Sequence, residues 1–166
     1  MNCKLFLLII VCCALAMTNA NAQEVHNHEH EHEHAHGDEL GIAIGLVPLP
    51  HEGEIKAGFH VHYIKSVGYD GFYGLGPSFE AIIDEHRHYT ISLSNQFRFY
   101  KGLSFVFAPG LLFLKEDSDW EYLFAQHFEI GYEFELGGFH IGPIADLSVS
   151  PAGMHYMAGL HFAIEL

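Results

Sequence analysis

The chain has 166 residues and is acidic, with 21 Asp and Glu against 7 Lys and Arg, beside 15 histidines. Neutralising phosphates takes clustered cations, so this balance excludes a nucleic-acid partner and points toward cations instead. The length suits one domain.

The first segment reads as an export signal. Met1-Asn2-Cys3-Lys4 is a short, weakly positive start, Leu5 to Ala16 is an apolar run, and Ala20-Asn21-Ala22 is an A-x-A cleavage site. Residues 1–22 are therefore expected to leave as a signal peptide, with the mature chain beginning at Gln23. The apolar run is too short for an ordinary membrane-spanning helix. Cys12 and Cys13 lie inside that run rather than just after it, which argues against a lipoprotein. Cys3, Cys12 and Cys13 would all depart with the signal, so cysteine and zinc-thiolate chemistry are excluded from the mature protein.

Residues 23–39 are low in complexity and nearly devoid of apolar groups, a composition that cannot bury enough surface to fold alone. A disordered arm is expected. His26, His28, His30, His32, His34 and His36 alternate mostly with acids, so in an extended chain all six rings fall on one side. Imidazole is a borderline ligand suited to zinc, copper and nickel, and interleaved carboxylates lower the net charge of a bound ion. The competing reading is a merely solubilising tail, for which Ser or Lys would serve without the His-x-His repetition. Zinc is the expected ion, with copper or nickel as alternatives.

From Leu40 to Leu166 the pattern changes to strict alternation, as in Glu54-Ile55-Lys56-Ala57-Gly58-Phe59-His60-Val61-His62-Tyr63. A period of two is that of a strand. Parity places strands over residues 40–47, 54–64, 72–82, 88–100, 103–114, 122–135, 139–149 and 155–166. Lys101-Gly102 and Gly137-Gly138 read as tight hairpins, Pro151-Ala152-Gly153 as a turn, and residues 115–120 as a polar loop. The polar face carries bulky charged groups and the other is rich in Phe and Tyr, which suits a barrel with its greasy side to lipid. The expected fold is all-β: an eight-stranded antiparallel up-and-down transmembrane β-barrel over residues 40–166. Pro48, Pro77, Pro109 and Pro143 recur late in the odd-numbered strands and mark a repeat of about one hairpin. They are also the main objection, because proline cannot donate to a ladder and a closed barrel has no free edge. A soluble lipocalin-like barrel or sandwich is the alternative they favour.

On its strand count, lipid-type parity and final strand, with Tyr156, Leu160, Phe162, Ile164 and Leu166 on one face, the chain resembles the small eight-stranded bacterial outer-membrane barrels. Such barrels commonly end in a terminal aromatic or large apolar residue, and Leu166 in place of Phe is a departure. The resemblance implies the bacterial outer membrane, with lipid around the barrel and the arm in the periplasm. It spans adhesin-like, anchor and lipid A-modifying barrels, and so leaves function open.

Histidines carry the remaining chemistry. His60, His62, His88, His127, His140, His155 and His161 share the inward parity with Glu54, Glu80, Glu129, Glu133, Glu135, Asp146 and Glu165. Much of this is forced, because the lipid face excludes polar groups. A sharper reading rests on Gly41, Ala43 and Gly45, whose small inward positions leave room for a site of His60, His62, His161 and Glu165 between the second and eighth strands. The His-x-Ser pair of lipid A deacylases does not occur, so an enzyme is the alternative rather than the main reading, as is a structural or adhesive barrel. The expected role is capture, buffering or delivery of transition metal at the cell envelope, with a metal transporter as candidate partner.

Overall fold

A computed structural model describes residues 37–49, 53–68, 71–84, 87–99, 102–116 and 119–166. The expected signal peptide and the arm histidines His26, His28, His30, His32, His34 and His36 lie outside the described residues. The strands are β1 (Glu39–Leu49), β2 (Glu54–Val67), β3 (Tyr73–Ile83), β4 (His88–Arg98), β5 (Leu103–Glu116), β6 (Asp119–Tyr132), β7 (Phe134–Glu135), β8 (Phe139–Ser150) and β9 (Gly153–Glu165). Each pairs antiparallel with its neighbours, β1 closes onto β9, and β6 pairs with β8. The two-residue β7 continues β6 along β8, so eight staves close one ring.

Alternation sets which way each side chain points. On β1, Leu40, Ile42, Ile44 and Leu46 are exposed, while Glu39, Gly41, Ala43, Gly45 and Val47 between them are buried. On β4, Ile91 and Leu93 face out while Thr90, Ser94, Gln96 and Arg98 are buried. Apolar groups therefore clothe the outside and polar groups fill the inside, the reverse of a soluble sandwich, which corrects the lipocalin-like alternative.

The prolines fit because a strand residue aims its amide nitrogen at only one neighbour, so a missing donor interrupts one ladder and spares the other. Pro77 lies in the gap of the β2–β3 ladder between His62↔Ser78 and Lys65↔Leu75, yet pairs with Leu93 on β4. Pro109 lies in the equivalent gap of β4–β5 and pairs with Gln126 on β6. Pro143 lies where β6 gives way to β7, and pairs with Leu160 on β9. Pro48 is beyond the last β1–β9 pair, Leu46↔Ala158, and pairs with Ile55. At two of these breaks the strands crowd together: a β-carbon on Gly76 would stand 1.8 Å from the Tyr63 carbonyl oxygen, and one on Gly142 1.6 Å from that of Tyr132. Glycine before Pro77 and Pro143 permits that close approach.

The turns carry the left-handed glycines that tight connections need, with φ of 77° at Gly102 and 63° and 89° at Gly137 and Gly138. One loop differs from expectation. The segment 115–120 is mostly strand, since β5 and β6 stay in register to Lys115↔Trp120 and Glu116↔Asp119. Strand pairing overrides its polar composition, and the Lys115 ammonium lies 6.0 Å from the centre of the Trp120 ring.

Glu39, His62, Arg98, His140 and His161 are buried inside at the end where β1 begins and β9 ends. Val47 and Ile82 on one side, and Leu112, Leu114 and Ala125 on the other, pack inside toward the opposite end. The root of the arm is tied to the terminal rim. The Tyr63 hydroxyl donates to Asp38 Oδ2 at 2.5 Å, the Ser66 amide donates to Asp38 Oδ1 at 3.2 Å, and the Ser66 hydroxyl donates to the Gly37 carbonyl at 2.7 Å. Tyr63 holds the Asp38 carboxyl below its ordinary range, because the donated bond favours the charged form.

Candidate metal centre in the barrel interior

The inner face of β1 is nearly bare, and side chains from the strands on either side meet across it. Gly41 pairs with His62 on β2, and Ala43 pairs with His161 on β9. A β-carbon on Gly41 would lie 2.3 Å from His62 Nε2 and 2.6 Å from His161 Nε2, so glycine is required for the rings to meet. They do meet, with Nε2 to Nε2 at 3.3 Å.

The carboxylate beside them belongs to Glu39. Its Oε1 is 2.9 Å from His62 Nε2 and 3.9 Å from His161 Nε2. Three ligand atoms thus converge with edges of 2.9, 3.3 and 3.9 Å. A tetrahedral ion with bonds of about 2.0 Å separates its ligands by roughly 3.3 Å, so the cluster is near the size of such a site. Glu39 is also a hub: Oε2 lies 3.4 Å from Arg98 Nη2 and 3.6 Å from His140 Nδ1, and Glu133 Oε2 lies 3.4 Å from the same His140 nitrogen. Glu39, Glu133 and His140 form a second convergent trio that shares Glu39 with the first. A buried carboxylate costs several kcal/mol unless paired, and Arg98 with the imidazoles supplies the partners. Arg98 is itself held by Nη1 donating to Ser66 Oγ at 3.1 Å and to the Gly71 carbonyl at 3.3 Å.

Of the residues expected to form a site here, His62 and His161 come together. His60 stands one layer deeper: its ring meets that of His62 edge-on at 5.1 Å, and its Nδ1 lies 3.6 Å from Glu129 Oε2. Glu165 does not join them. It pairs with Glu39 at the rim, is exposed, and accepts a short hydrogen bond from the Gly37 amide. Glu39 stands beside the two rings where Glu165 was expected. Composition assigned Glu39 to the arm, but the parity of Gly41, Ala43 and Gly45 carried two residues back would have placed it inside the barrel. His140 and Glu133 were legible as inward residues, but their convergence on Glu39 was not.

Closed, polar within and apolar without, the molecule has the fold of the small outer-membrane β-barrels. Neisserial surface protein A aligns with a TM-score of 0.55 at 5% identity, over 78% of this chain and 96% of that one. The N-terminal β-barrel domain of Pseudomonas aeruginosa OprF aligns with a TM-score of 0.53 at 15% identity, over 79% and 99%. The Yersinia pestis outer membrane protein Ail in a phospholipid nanodisc gives 0.52 at 16% identity, over 77% and 99%. At these identities the likeness is one of fold. No family model matches the chain, and no curated protein sequence does.

Proposed function

We propose that this protein is a bacterial outer-membrane barrel that binds transition metal, zinc foremost, through its histidine arm, for capture, buffering or delivery at the cell envelope. The arm lies in the periplasm on this reading. The observation that carries it is continuity of ligand chemistry: the His-x-His run ends at His36, three positions before Glu39, which lies against His62 and His161 inside the barrel. Histidines repeated along a low-complexity run suit weak, rapid collection of ions, while a preformed cluster holds one more firmly, because its ordering cost was met in folding. Apolar side chains inside the opposite end favour entry and exit at the terminal end. The role is therefore binding rather than conduction, since eight staves enclose a lumen that side chains fill. A metal transporter is the partner such a role requires.

The test is calorimetric zinc titration of the mature chain in detergent, beside a variant with the six arm histidines changed to alanine. The reading predicts more than one zinc per chain in the first and loss of most of that capacity in the second. An unchanged stoichiometry would overturn it.

A further inference from the structure

Deeper in the lumen, past His60 and Glu129, lies a cluster that the arm and the Glu39 centre do not use. His127 Nδ1 is 3.3 Å from Glu80 Oε2 and 3.6 Å from Asp146 Oδ1, and Glu80 Oε1 is 3.4 Å from His155 Nε2. Glu80, His127 and Asp146 are all buried, at 8%, 6% and 6% exposure. We propose that Glu80, His127 and Asp146 form a second, interior binding site for a single divalent transition-metal ion, independent of the arm.

Three observations carry this. First, one ring nitrogen faces two carboxylates, and a single N–H cannot serve both. Asp146 Oδ1 and Glu129 Oε2 are buried, and each faces a histidine Nδ1 at 3.6 Å, beyond ordinary hydrogen-bond reach, a state that costs free energy unless a cation relieves it. Second, Glu80, His127 and Asp146 each offer a ligand atom within 4.8 Å of the other two, and the two edges at His127, 3.3 and 3.6 Å, are near the roughly 3.3 Å between ligands of a tetrahedral ion bonded at about 2.0 Å. Third, the ligands border a cavity of about 10 Å³, the space of roughly one water molecule, which Ser92, Ser78 and Glu129 also line.

The other ring nitrogen of His127 supports the assignment. Ser148 Oγ lies 3.2 Å from His127 Nε2. If Nε2–H donates to that hydroxyl, the Nδ1 lone pair is left for the metal, the arrangement by which ligating imidazoles are usually oriented. Ser148, His127 and Asp146 also stand in the order of a hydrolase triad, but the buried hydroxyl and a one-water cavity leave no room for an acyl substrate. Coordination is the chemistry that fits the space.

The test uses the full mature chain with the six arm histidines, His62, His140 and His161 changed to alanine, which removes both trios that contain Glu39, refolded in detergent with cobalt(II) and freed of excess metal. About one cobalt per chain, with the intense visible bands of a four-coordinate site, is expected. Adding Asp146→Asn, which keeps the shape, or His127→Ala should reduce the bound cobalt by about tenfold or more, as loss of a ligand does. Heat-modifiable gel mobility reports folding of each variant, and the parent variant alone suffices if His127→Ala does not fold. A folded parent without cobalt, or cobalt retained in the folded Asp146→Asn variant, would overturn the proposal. Failure of the arm to bind zinc would leave this result unchanged.

Discussion

Nε2 of His62 and Nε2 of His161 face each other at 3.3 Å, and only one proton fits between them. Two neutral rings can share it as donor and acceptor, and two charged rings would repel. The position of that proton, with Glu39 Oε1 beside it, is where a metal ion would sit. The relationship depends on Gly41, whose missing side chain is the space in which the two nitrogens meet.

Gly41→Ala tests that dependence. The added methyl must displace both rings, so the barrel should lose about 1–3 kcal/mol of stability, the usual cost of overpacking. Zinc binding at the inner centre should fall as well. Urea titration of the refolded barrel reads the first effect and calorimetry of an arm-substituted chain reads the second; unchanged values in both would mean that the rings adjust freely.

Glu39 is the hub of the terminal-end cluster, and its removal should be costly. Glu39→Ala leaves the Arg98 guanidinium buried without its carboxylate, and breaking such a buried pair costs about 3–5 kcal/mol. Glu39→Gln keeps an acceptor for His62 and Arg98 and should cost less. A fall below about 1 kcal/mol for Glu39→Ala in denaturant titration would show that Glu133 replaces it as the partner.

The outward face makes a prediction about lipid. Ile44 is 54% exposed at the centre of β1. If lipid covers it, Ile44→Arg should destabilise the barrel in bilayers by roughly 2–4 kcal/mol, as arginine at the midplane of such barrels does. The same change in a water-exposed surface would cost almost nothing. Fractionation of the intact protein with outer membranes is the accompanying expectation, and recovery as a detergent-free monomer would contradict it.

Much of this architecture was legible because alternation is a direct record of inside and outside. Gly41, Ala43 and Gly45 showed both that β1 is a strand and that its inner face leaves room, and His62 and His161 were read from that room. Glu165 does not join His62 and His161 because parity tells which face a residue takes, not whether a side chain at the rim turns inward, and Glu165 is exposed and bonded to the Gly37 amide instead. Glu39 was missed for the complementary reason, since an acidic run hides where alternation starts. The prolines looked like objections only because a one-dimensional pattern does not show which of two ladders loses its donor; the place of Pro77 in the β2–β3 gap, while it pairs with Leu93, resolves it. Convergence of Glu80, His127 and Asp146 depends on three strands closing around a ring, which no local pattern encodes.

If histidines are the ligands, protons compete directly with the metal for the same nitrogens. Imidazole coordinates only when neutral, and a free histidine has a pKa of about 6.5, so protonation competes with metal. Interleaved Glu29, Glu31 and Glu33 favour the imidazolium and sharpen that competition. The arm should therefore load at about pH 7 to 8 and release below about pH 6, whereas carboxylate ligands alone would hold metal to about pH 4 to 5. Calorimetric zinc titration of the mature chain at about pH 7.5 and pH 5.5 decides between them. Binding at the higher pH that is largely lost at the lower is the predicted result, and equal affinity at both would contradict the account.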